Sequence, residues 1–316
     1  MKSKRIASAV LALILICSLA LTGCSKSEPV KDLVVTYVTS PLNVPSIVEK
    51  NHSIFAETMK EVGVETVSYS EITSGADQTQ ALASGDIHFL YAVGATSVIL
   101  SAANDADIKI ISMYSRSPKA FCLFSNDSSI TSPEALRGKT IAGPQGTILH
   151  ELLVAYLATA GMTLNDVSFI NTTIPDAMSA MMGGSVDCAL LAGAAAYNTQ
   201  ASGAHLVTNG DGLVEASICC ATTQKFYDAH KDVVDSFLKA QQNVLNFLAE
   251  NEETALQEAA DYLDLDIQAV KDMYGYYNFD MSIQDSDITA MTSTMQFMLD
   301  NDMIEKEVDI ASLVIR

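Results

Sequence analysis

The 316-residue chain contains 38 acidic and 18 basic residues, which give a formal net charge of −20 at pH 7. A chain this acidic repels the phosphate backbone of nucleic acids and anionic lipid headgroups, so nucleic-acid binding is excluded as its function. Its length exceeds what one simple hydrophobic core accommodates and predicts two lobes.

The N-terminal segment has the features of a secretion signal. Three basic residues precede an uncharged apolar run over residues 6–21, which is shorter than the roughly 20 residues of a membrane-spanning helix. Leu21-Thr22-Gly23-Cys24 resembles the lipobox of bacterial lipoproteins; the alternative is an ordinary cleavage site with a chance cysteine. We predict a signal peptide at 1–23, a palmitate-type lipid on Cys24 and a tether at 24–32, which together anchor the protein on the extracytoplasmic side of the cell membrane.

The six cysteines do not form a disulfide framework. Cys17 is removed with the signal peptide, and Cys24 is the lipidation site. The other four lie in apolar, strand-like runs: Cys122, Cys188, Cys219 and Cys220. A free cysteine in such a run behaves as a small hydrophobic residue, and without a Cys-x2-Cys pair we predict no metal site. A disulfide from Cys122 to Cys219 or Cys220 is the alternative in an oxidising compartment.

Strands and helices alternate after the tether. The predicted strands cover residues 32–38, 64–70, 87–93 and 108–114, and the predicted helices cover residues 46–61, 76–83 and 96–103. This alternation is typical of a mainly parallel sheet covered by helices. After Gln224 the pattern is helical to the end, with Met, Leu and Phe stripes that indicate core packing.

The same order of elements recurs further along the chain. Residues 80–97 align without a gap on residues 179–196, and Gly94 then matches Gly193. Ligands of open α/β sheets bind beyond the carboxyl ends of the strands, so two such halves predict a cleft between two lobes. The loops expected to converge on that cleft are residues 39–43, 93–97, 143–147 and 191–195.

Two apolar segments flank the second repeat, at residues 119–126 and 215–224. We interpret them as paired crossover segments between the lobes. The first lobe is then predicted to contain residues 33–118 and 224–316, including the C-terminal helices. The second lobe is predicted to contain residues 119–223.

Motifs along nearly the whole chain resemble the solute-binding lipoproteins of bacterial ABC transporters. The matching stretches are SGADQTQALASGDIHF, VGATS, SPEALRGKTIAGPQGTILHELL, LNDVSF and QEAADYLDLD. They resemble the branch with the nitrate, taurine and aliphatic-sulfonate receptors and the thiamine-precursor (NMT1/THI5-like) receptors. The resemblance implies an α/β, two-lobed type II periplasmic-binding-protein fold that closes on a small molecule. It also implies a monomer without cofactors that delivers its ligand to an ABC permease and ATPase.

The class of ligand and the choice between a receptor and an enzyme each have an alternative. A sulfonate, taurine or nitrate-like anion is the main hypothesis, and a neutral heteroaromatic such as a thiamine pyrimidine precursor or a flavin is the alternative. Many relatives carry Trp-Glu-Pro where this chain has Ala192, Gly193 and Ala194. The alternatives are a larger pocket or an aromatic wall supplied by Tyr197. The fungal thiamine-pyrimidine synthases also resemble this branch, but no lysine lies in the four loops, so we predict a receptor rather than an enzyme.

The candidate ligand-binding residues come from the predicted loops and strand ends. Thr96 and Thr147 open helices whose N–H groups favour an anion, although capping alone is the alternative role. Arg116 is expected either to pair with an anion or to lie solvated at the rim, and Tyr114 either to stack on a ligand or to support the hinge. Asp77 is expected to be a helix N-terminal charge. The full predicted set is Asn43, Gly94, Ala95, Thr96, Tyr114, Arg116, Gln145, Gly146, Thr147, His150, Gly193 and Tyr197.

Overall fold

The structure, a computed structural model, describes residues 28–315. The predicted signal peptide and the lipidation site Cys24 therefore lie outside the described residues. None of the helices within residues 28–315 is long and apolar enough to cross a membrane.

The chain alternates strands and helices up to residue 222 and is helical beyond it, as the sequence pattern predicts. The strands are β1 (Asp32–Thr36), β2 (Thr66–Ser70), β3 (Leu90–Gly94), β4 (Lys109–Arg116), β5 (Phe121–Ser125), β6 (Thr140–Gly143), β7 (Ser168–Asn171), β8 (Cys188–Ala192), β9 (His205–Asn209) and β10 (Ser217–Thr222). The helices are α1 (Val44–His52), α2 (Ile54–Met59), α3 (Gly75–Ser84), α4 (Ala95–Ala103), α5 (Ile148–Ala158), α6 (Ile174–Met182), α7 (Gly193–Ala201), α8 (Gln224–Ala229), α9 (Lys231–Glu250), α10 (Glu252–Leu263), α11 (Ile267–Tyr274), α12 (Asp285–Asp300) and α13 (Ile310–Leu313).

The first lobe is built on two small sheets. Strands β1 and β2 pair in parallel, and β10 lies between β3 and β4, antiparallel to both. A parallel bridge between Val35 and Phe89 joins the two sheets. The C-terminal helices pack on this lobe, because α9 contacts α2, α10 contacts α1 and α12 contacts α4.

The second lobe contains one five-stranded sheet in the order β7-β6-β8-β5-β9. Strands β6, β7 and β8 are parallel, and β5 is antiparallel to its neighbours β8 and β9. The repeat predicted from the sequence is present, since α3-β3-α4 in the first lobe corresponds to α6-β8-α7 in the second. Each lobe therefore presents a row of strand ends followed by helix N-termini.

One expectation about local structure is wrong, and the crossover segments can be placed in the sheets. The helix predicted over residues 46–61 is interrupted at Ser53, whose φ of 53° ends α1 and starts α2. The two predicted crossover segments contain strands of different sheets, since β5 belongs to the five-stranded sheet and β10 is the central strand of a first-lobe sheet. Each segment forms a strand in the sheet of the lobe into which the chain continues, β5 in the second lobe and β10 in the first. In these sheets its backbone N–H and C=O groups have hydrogen-bond partners. The exact lobe boundaries stay a prediction.

The methionines of the C-terminal region belong to the core, as their spacing predicts. Met291, Met295 and Met298 on α12 are buried in one cluster with Val98 and Ile99 of α4. The four described cysteines are free and buried. Apolar burial therefore explains both residue types, and the C-terminal helices complete the first lobe.

Candidate functional site

A cavity of about 440 Å³ lies between the two lobes. All four loops predicted from the sequence line it, represented by Pro41, Gly94, Gln145 and Ala192. The carboxyl ends of equivalent strands therefore meet across the cleft, as expected for this class of sheet.

Two loops that were not among the four predicted ones also line the cavity. They are residues 73–78 after β2 and residues 171–175 after β7. The two loops occupy equivalent places in the two repeats. The stretch ETVSYSEITSGAD precedes the first aligned segment as DVSFINTTIPDA precedes the second, and this correspondence is the sequence signal that identifies the loops. Gln78, which is buried, is among the lining residues that were missed.

Six of the helices within residues 28–315 begin at this cavity. The residues at their N-termini line it, namely Asn43 before α1, Ser74 before α3, Gly94 before α4, Thr147 before α5, Thr173 before α6 and Ala192 before α7. The first-turn N–H groups of a helix have no partner within the helix, and its N-terminus carries a partial positive charge of about half an elementary charge. Their convergence makes the cavity a site for negative charge.

The helices differ in whether a side chain occupies their first-turn N–H groups. Ser74 accepts a hydrogen bond from the backbone N–H of Asp77, and Thr173 accepts one from that of Asp176. Within the described residues, α1, α4, α5 and α7 have no such side-chain cap. In α1, however, the second residue is a proline without an N–H, and the N–H of the third residue donates to the Tyr114 hydroxyl. The N-termini of α4, α5 and α7 are therefore the ones available to a ligand, and they come from both lobes.

Among the described residues that line the cavity, no lysine, arginine or histidine occurs, and Asp77 is the charged side chain. Apolar side chains such as Val38, Phe121, Ile148 and Ile218 form much of the wall. Partial positive charge at the described lining therefore comes from backbone N–H groups and uncharged polar side chains such as Gln78 and Asn171, and the apolar part of the wall suits an apolar ligand body.

Arg116 does not line the cavity, which corrects the expectation that it pairs with an anion there. Its Nε and Nη2 donate to the two carboxylate oxygens of Asp287 at 2.6 Å each. Its Nη1 and Nη2 also donate to the carbonyl oxygens of Asp280 and Ser282 at 2.9 Å. Arg116 therefore holds the segment that leads into α12 against β4.

Three other predicted residues are buried away from the cavity. The hydroxyl of Tyr114 lies 2.9 Å from Ser46 Oγ and accepts a hydrogen bond from the Ser46 N–H, so it supports α1. The Thr96 hydroxyl is bonded to Glu151 rather than facing a ligand. The His150 ring stacks on Phe169, and burial lowers its pKa to about 4, so it is neutral at physiological pH.

The remaining predicted residues divide between the cavity wall and its support. Asn43, Gly94, Gln145 and Thr147 line the cavity. Asn43 Nδ2 donates to the carbonyl oxygens of Val38 and Ser40, which shapes the first loop. The lining set does not include Ala95, Gly146, Gly193 or Tyr197. Asp77 lies at the start of α3, as expected, and also borders the cavity.

The lobes contact each other beside the cavity. Ser97 Oγ on α4 donates to the carbonyl oxygen of Gly146 at 2.8 Å. Gly193 approaches the first loop so closely that a Cβ there would lie 1.6 Å from the Pro41 carbonyl oxygen. The structure therefore shows the two lobes closed on each other.

The adjacent cysteines Cys219 and Cys220 are buried outside the described lining of the cavity. Burial raises the pKa of Cys220 to about 12 and raises that of Cys219 well above its ordinary value, so neither is a reactive thiolate. Within residues 28–315, no group of three or more His, Cys, Asp or Glu side chains is placed to hold a metal ion. The arrangement can enclose a small molecule and offer it backbone hydrogen bonds.

Curated proteins similar to this chain are named as receptors for sulfonates. A protein of Bacillus subtilis (strain 168) named as an aliphatic sulfonates-binding protein is 28% identical over 275 residues, which cover 85% of this chain and 82% of that protein. The taurine-binding periplasmic protein of Escherichia coli (strain K12) is 27% identical over 213 residues, which cover 66% of this chain and 64% of that protein.

Solved structures share the fold. The alkanesulfonate-binding protein SsuA from Xanthomonas axonopodis pv. citri, bound to MOPS, aligns with a TM-score of 0.82 at 20% identity over 90% of this chain and 98% of that chain. The desulfurization enzyme DszB aligns with a TM-score of 0.64 at 14% identity over 90% and 96%. The fold therefore occurs in both binding proteins and an enzyme. The family model described as NMT1/THI5 like matches residues 59–255, more than half of the sequence, and the chain belongs to this family.

Proposed function

We propose that the protein is the extracytoplasmic solute-binding component of an ABC importer and that it captures a small organic sulfonate between its lobes. The observation that carries the proposal is the convergence of six helix N-termini on one cavity. The names of the similar proteins support the ligand class, since they refer to sulfonates and taurine.

The anionic group is held by backbone donors. Helix N-termini bind anions through free N–H groups and the helix dipole, and a hydrogen bond to a charged group contributes about 1.5–3 kcal/mol. A sulfonate offers three acceptor oxygens to the N-termini of α4, α5 and α7, which have neither a side-chain cap nor the Tyr114 contact of α1. The apolar wall then receives the organic part of the ligand, which distinguishes an organic sulfonate from nitrate or sulfate.

The proposal is tested with the full-length chain carrying Cys24→Ala. Thermal shift and calorimetric titration would compare taurine, methanesulfonate, hexanesulfonate, nitrate and sulfate. A ligand that binds the native state at a hundred times its Kd stabilises it by about 2.7 kcal/mol, so an organic sulfonate should raise the melting temperature clearly. Binding of none of these anions, with the protein folded, would refute the proposal.

A neutral heteroaromatic ligand is the second candidate. The observation that favours it is the lack of a lysine, arginine or histidine among the described lining residues. A pyrimidine or flavin in the same titrations separates the two candidates, because affinity for a sulfonate should fall with added salt more than affinity for a neutral ring.

The cellular setting forms a further part of the proposal. Cys24 carries a lipid that anchors the protein outside the cytoplasmic membrane, and a permease and an ATPase receive the ligand. The protein acts as a monomer and without catalysis. Fractionation of cells that express Cys24→Ala should move the protein from the membrane to the soluble fraction, and unchanged membrane association would contradict the anchor.

A further inference from the structure

Glu151 is a buried carboxyl group at the contact between the lobes. It lies in the first turns of α5, in the second lobe, and is 4% exposed. Its Oε2 accepts a hydrogen bond from the Thr96 hydroxyl of α4 at 2.5 Å, and its Oε1 accepts one from the Thr294 hydroxyl of α12 at 3.1 Å. Both threonines belong to the first lobe and are themselves buried, so the two lobes share this carboxyl group.

No ion pair of the described residues includes Glu151. Burial raises the pKa of its carboxyl above the ordinary 4.5, the two threonine hydroxyls oppose this effect, and the negative charge of Glu215 adds to it. An unpaired buried carboxylate is costly, and such groups usually take a proton instead.

The elements around Glu151 supply no compensating cation. Helix α4 contains no ionisable residue. On α12 the ionisable residues are Asp285, Asp287 and Asp300, all acidic and in its terminal turns. On α5 the neighbouring His150 is neutral, because burial lowers its pKa to about 4. The N-terminus of α5 carries a partial positive charge that favours the ionised carboxyl, but none of these three helices places a full cation beside it, so a proton on Glu151 is the means of neutralising the contact fully.

We propose that closure of the two lobes takes up one proton at Glu151, so that Glu151 is a positioning residue that couples ligand capture to pH. This inference rests on the proposed function in that closure is the step that encloses the ligand. When the lobes separate, Glu151 leaves Thr96 and Thr294, meets water and ionises at neutral pH.

The direction of the pH dependence follows from linkage. Below pH 4.5 the carboxyl is protonated in both the open and the closed form, and pH has no effect. Above that value the open form ionises first, while the closed form keeps its proton, so closure becomes less favourable as pH rises. One proton limits the loss of affinity to about tenfold per pH unit, and the loss ends at the raised pKa of the closed form.

Glu151→Gln is the main test, because glutamine keeps the shape of the side chain and cannot ionise. Calorimetric titration with taurine and hexanesulfonate between pH 5 and 8 should show a falling affinity for the wild type and a constant affinity for the variant. Titration in buffers of different ionisation enthalpy should show proton uptake on binding by the wild type only. Glu215→Gln is the matched control and should retain most of the wild-type slope.

A second measurement needs no ligand and separates failure of this inference from failure of the proposed function. Small-angle scattering of the ligand-free chain should show a radius of gyration that increases from pH 5 to 8 for the wild type and stays small for Glu151→Gln. If Glu151→Gln fails to fold, Thr294→Val replaces it: losing a donor to the carboxylate raises the pKa further, so the transition should move to higher pH. Equal pH profiles for the wild type and the variant, in scattering or in titration, would overturn the inference.

Discussion

Replacing Gly193 with alanine should prevent closure of the lobes without unfolding either of them. Gly193 begins α7 with a φ of 56°, and an added Cβ would lie 1.6 Å from the carbonyl oxygen of Pro41 and 2.4 Å from its Cα. Pro41 lies in the loop after β1, so the clash is between the lobes and disappears when they separate.

The magnitude follows from the nature of the obstacle. The overlap is with backbone atoms, which cannot rotate away as a flexible side chain can. Overpacking of a tight contact costs about 1–3 kcal/mol, and about 1.4 kcal/mol corresponds to a tenfold change in an equilibrium constant. If capture requires closure, ligand affinity should therefore fall by about tenfold to a hundredfold.

Gly184→Ala is the matched control. Gly184 occupies the second repeat with a φ of 74°, but a Cβ there would have no atom within 4 Å. Both variants carry the strain of alanine at positive φ, and only Gly193→Ala adds the contact between lobes. Calorimetric titration with an established sulfonate ligand, with thermal unfolding to confirm the fold, measures the difference. If both variants bind within about threefold of each other, or less than about 0.7 kcal/mol apart, the Pro41 contact is not part of the ligand-bound state.

Two further outcomes are expected. Glu49 is 1% exposed, and burial raises its pKa from 4.5 to about 7 although its Oε1 accepts hydrogen bonds from the Tyr69 hydroxyl and the Phe55 N–H. The stability that the protonated Glu49 carboxyl contributes is lost as pH rises from 4.5 through 7, because the folded protein must then bury a charge. Glu49→Gln should therefore raise the free energy of unfolding at pH 8 by up to about 3 kcal/mol and change it little at pH 4.5. Equal effects of the substitution in urea unfolding at the two pH values would contradict this. Arg116→Gln should leave the buried Asp287 carboxylate without its ionic partner and destabilise the fold by about 3–5 kcal/mol, with ligand affinity unchanged. A large loss of ligand affinity with unchanged stability would show instead that Arg116 contacts the ligand.

Local sequence patterns were sufficient to predict the architecture. The alternation of strands and helices and the aligned repeat identify two α/β lobes, because apolar periodicity reports which face of each element is buried. Residues 39–43, 93–97, 143–147 and 191–195 were placed at the cleft because the carboxyl ends of parallel strands meet at one edge of a sheet. The structure adds residues 73–78 and 171–175, which the same rule assigns to the cleft once it is applied to β2 and β7.

The roles of individual side chains were predicted less well. Arg116 and Tyr114 lie at the carboxyl end of β4, and the sequence predicts them as ligand-binding residues only because strand ends are expected to face the cleft. In the structure the partner of Arg116, Asp287, lies 171 residues further along the chain, and that of Tyr114, Ser46, lies 68 residues before it. No local pattern contains such pairings.

The sequence by itself therefore determined the fold, the repeat and the loops that form the cleft, since these follow from periodicity and strand order. Only the tertiary structure decided which side chains line the cavity, because a polar side chain bonds to the partner that the fold brings near it. Thr96 turns to Glu151 and Arg116 to Asp287. The described lining of the cavity therefore has no cationic side chain and consists of helix N-termini, apolar side chains and polar side chains such as Gln78 and Asn171. A buried polar group must find a hydrogen-bond partner, and that requirement is satisfied by contacts across the whole molecule.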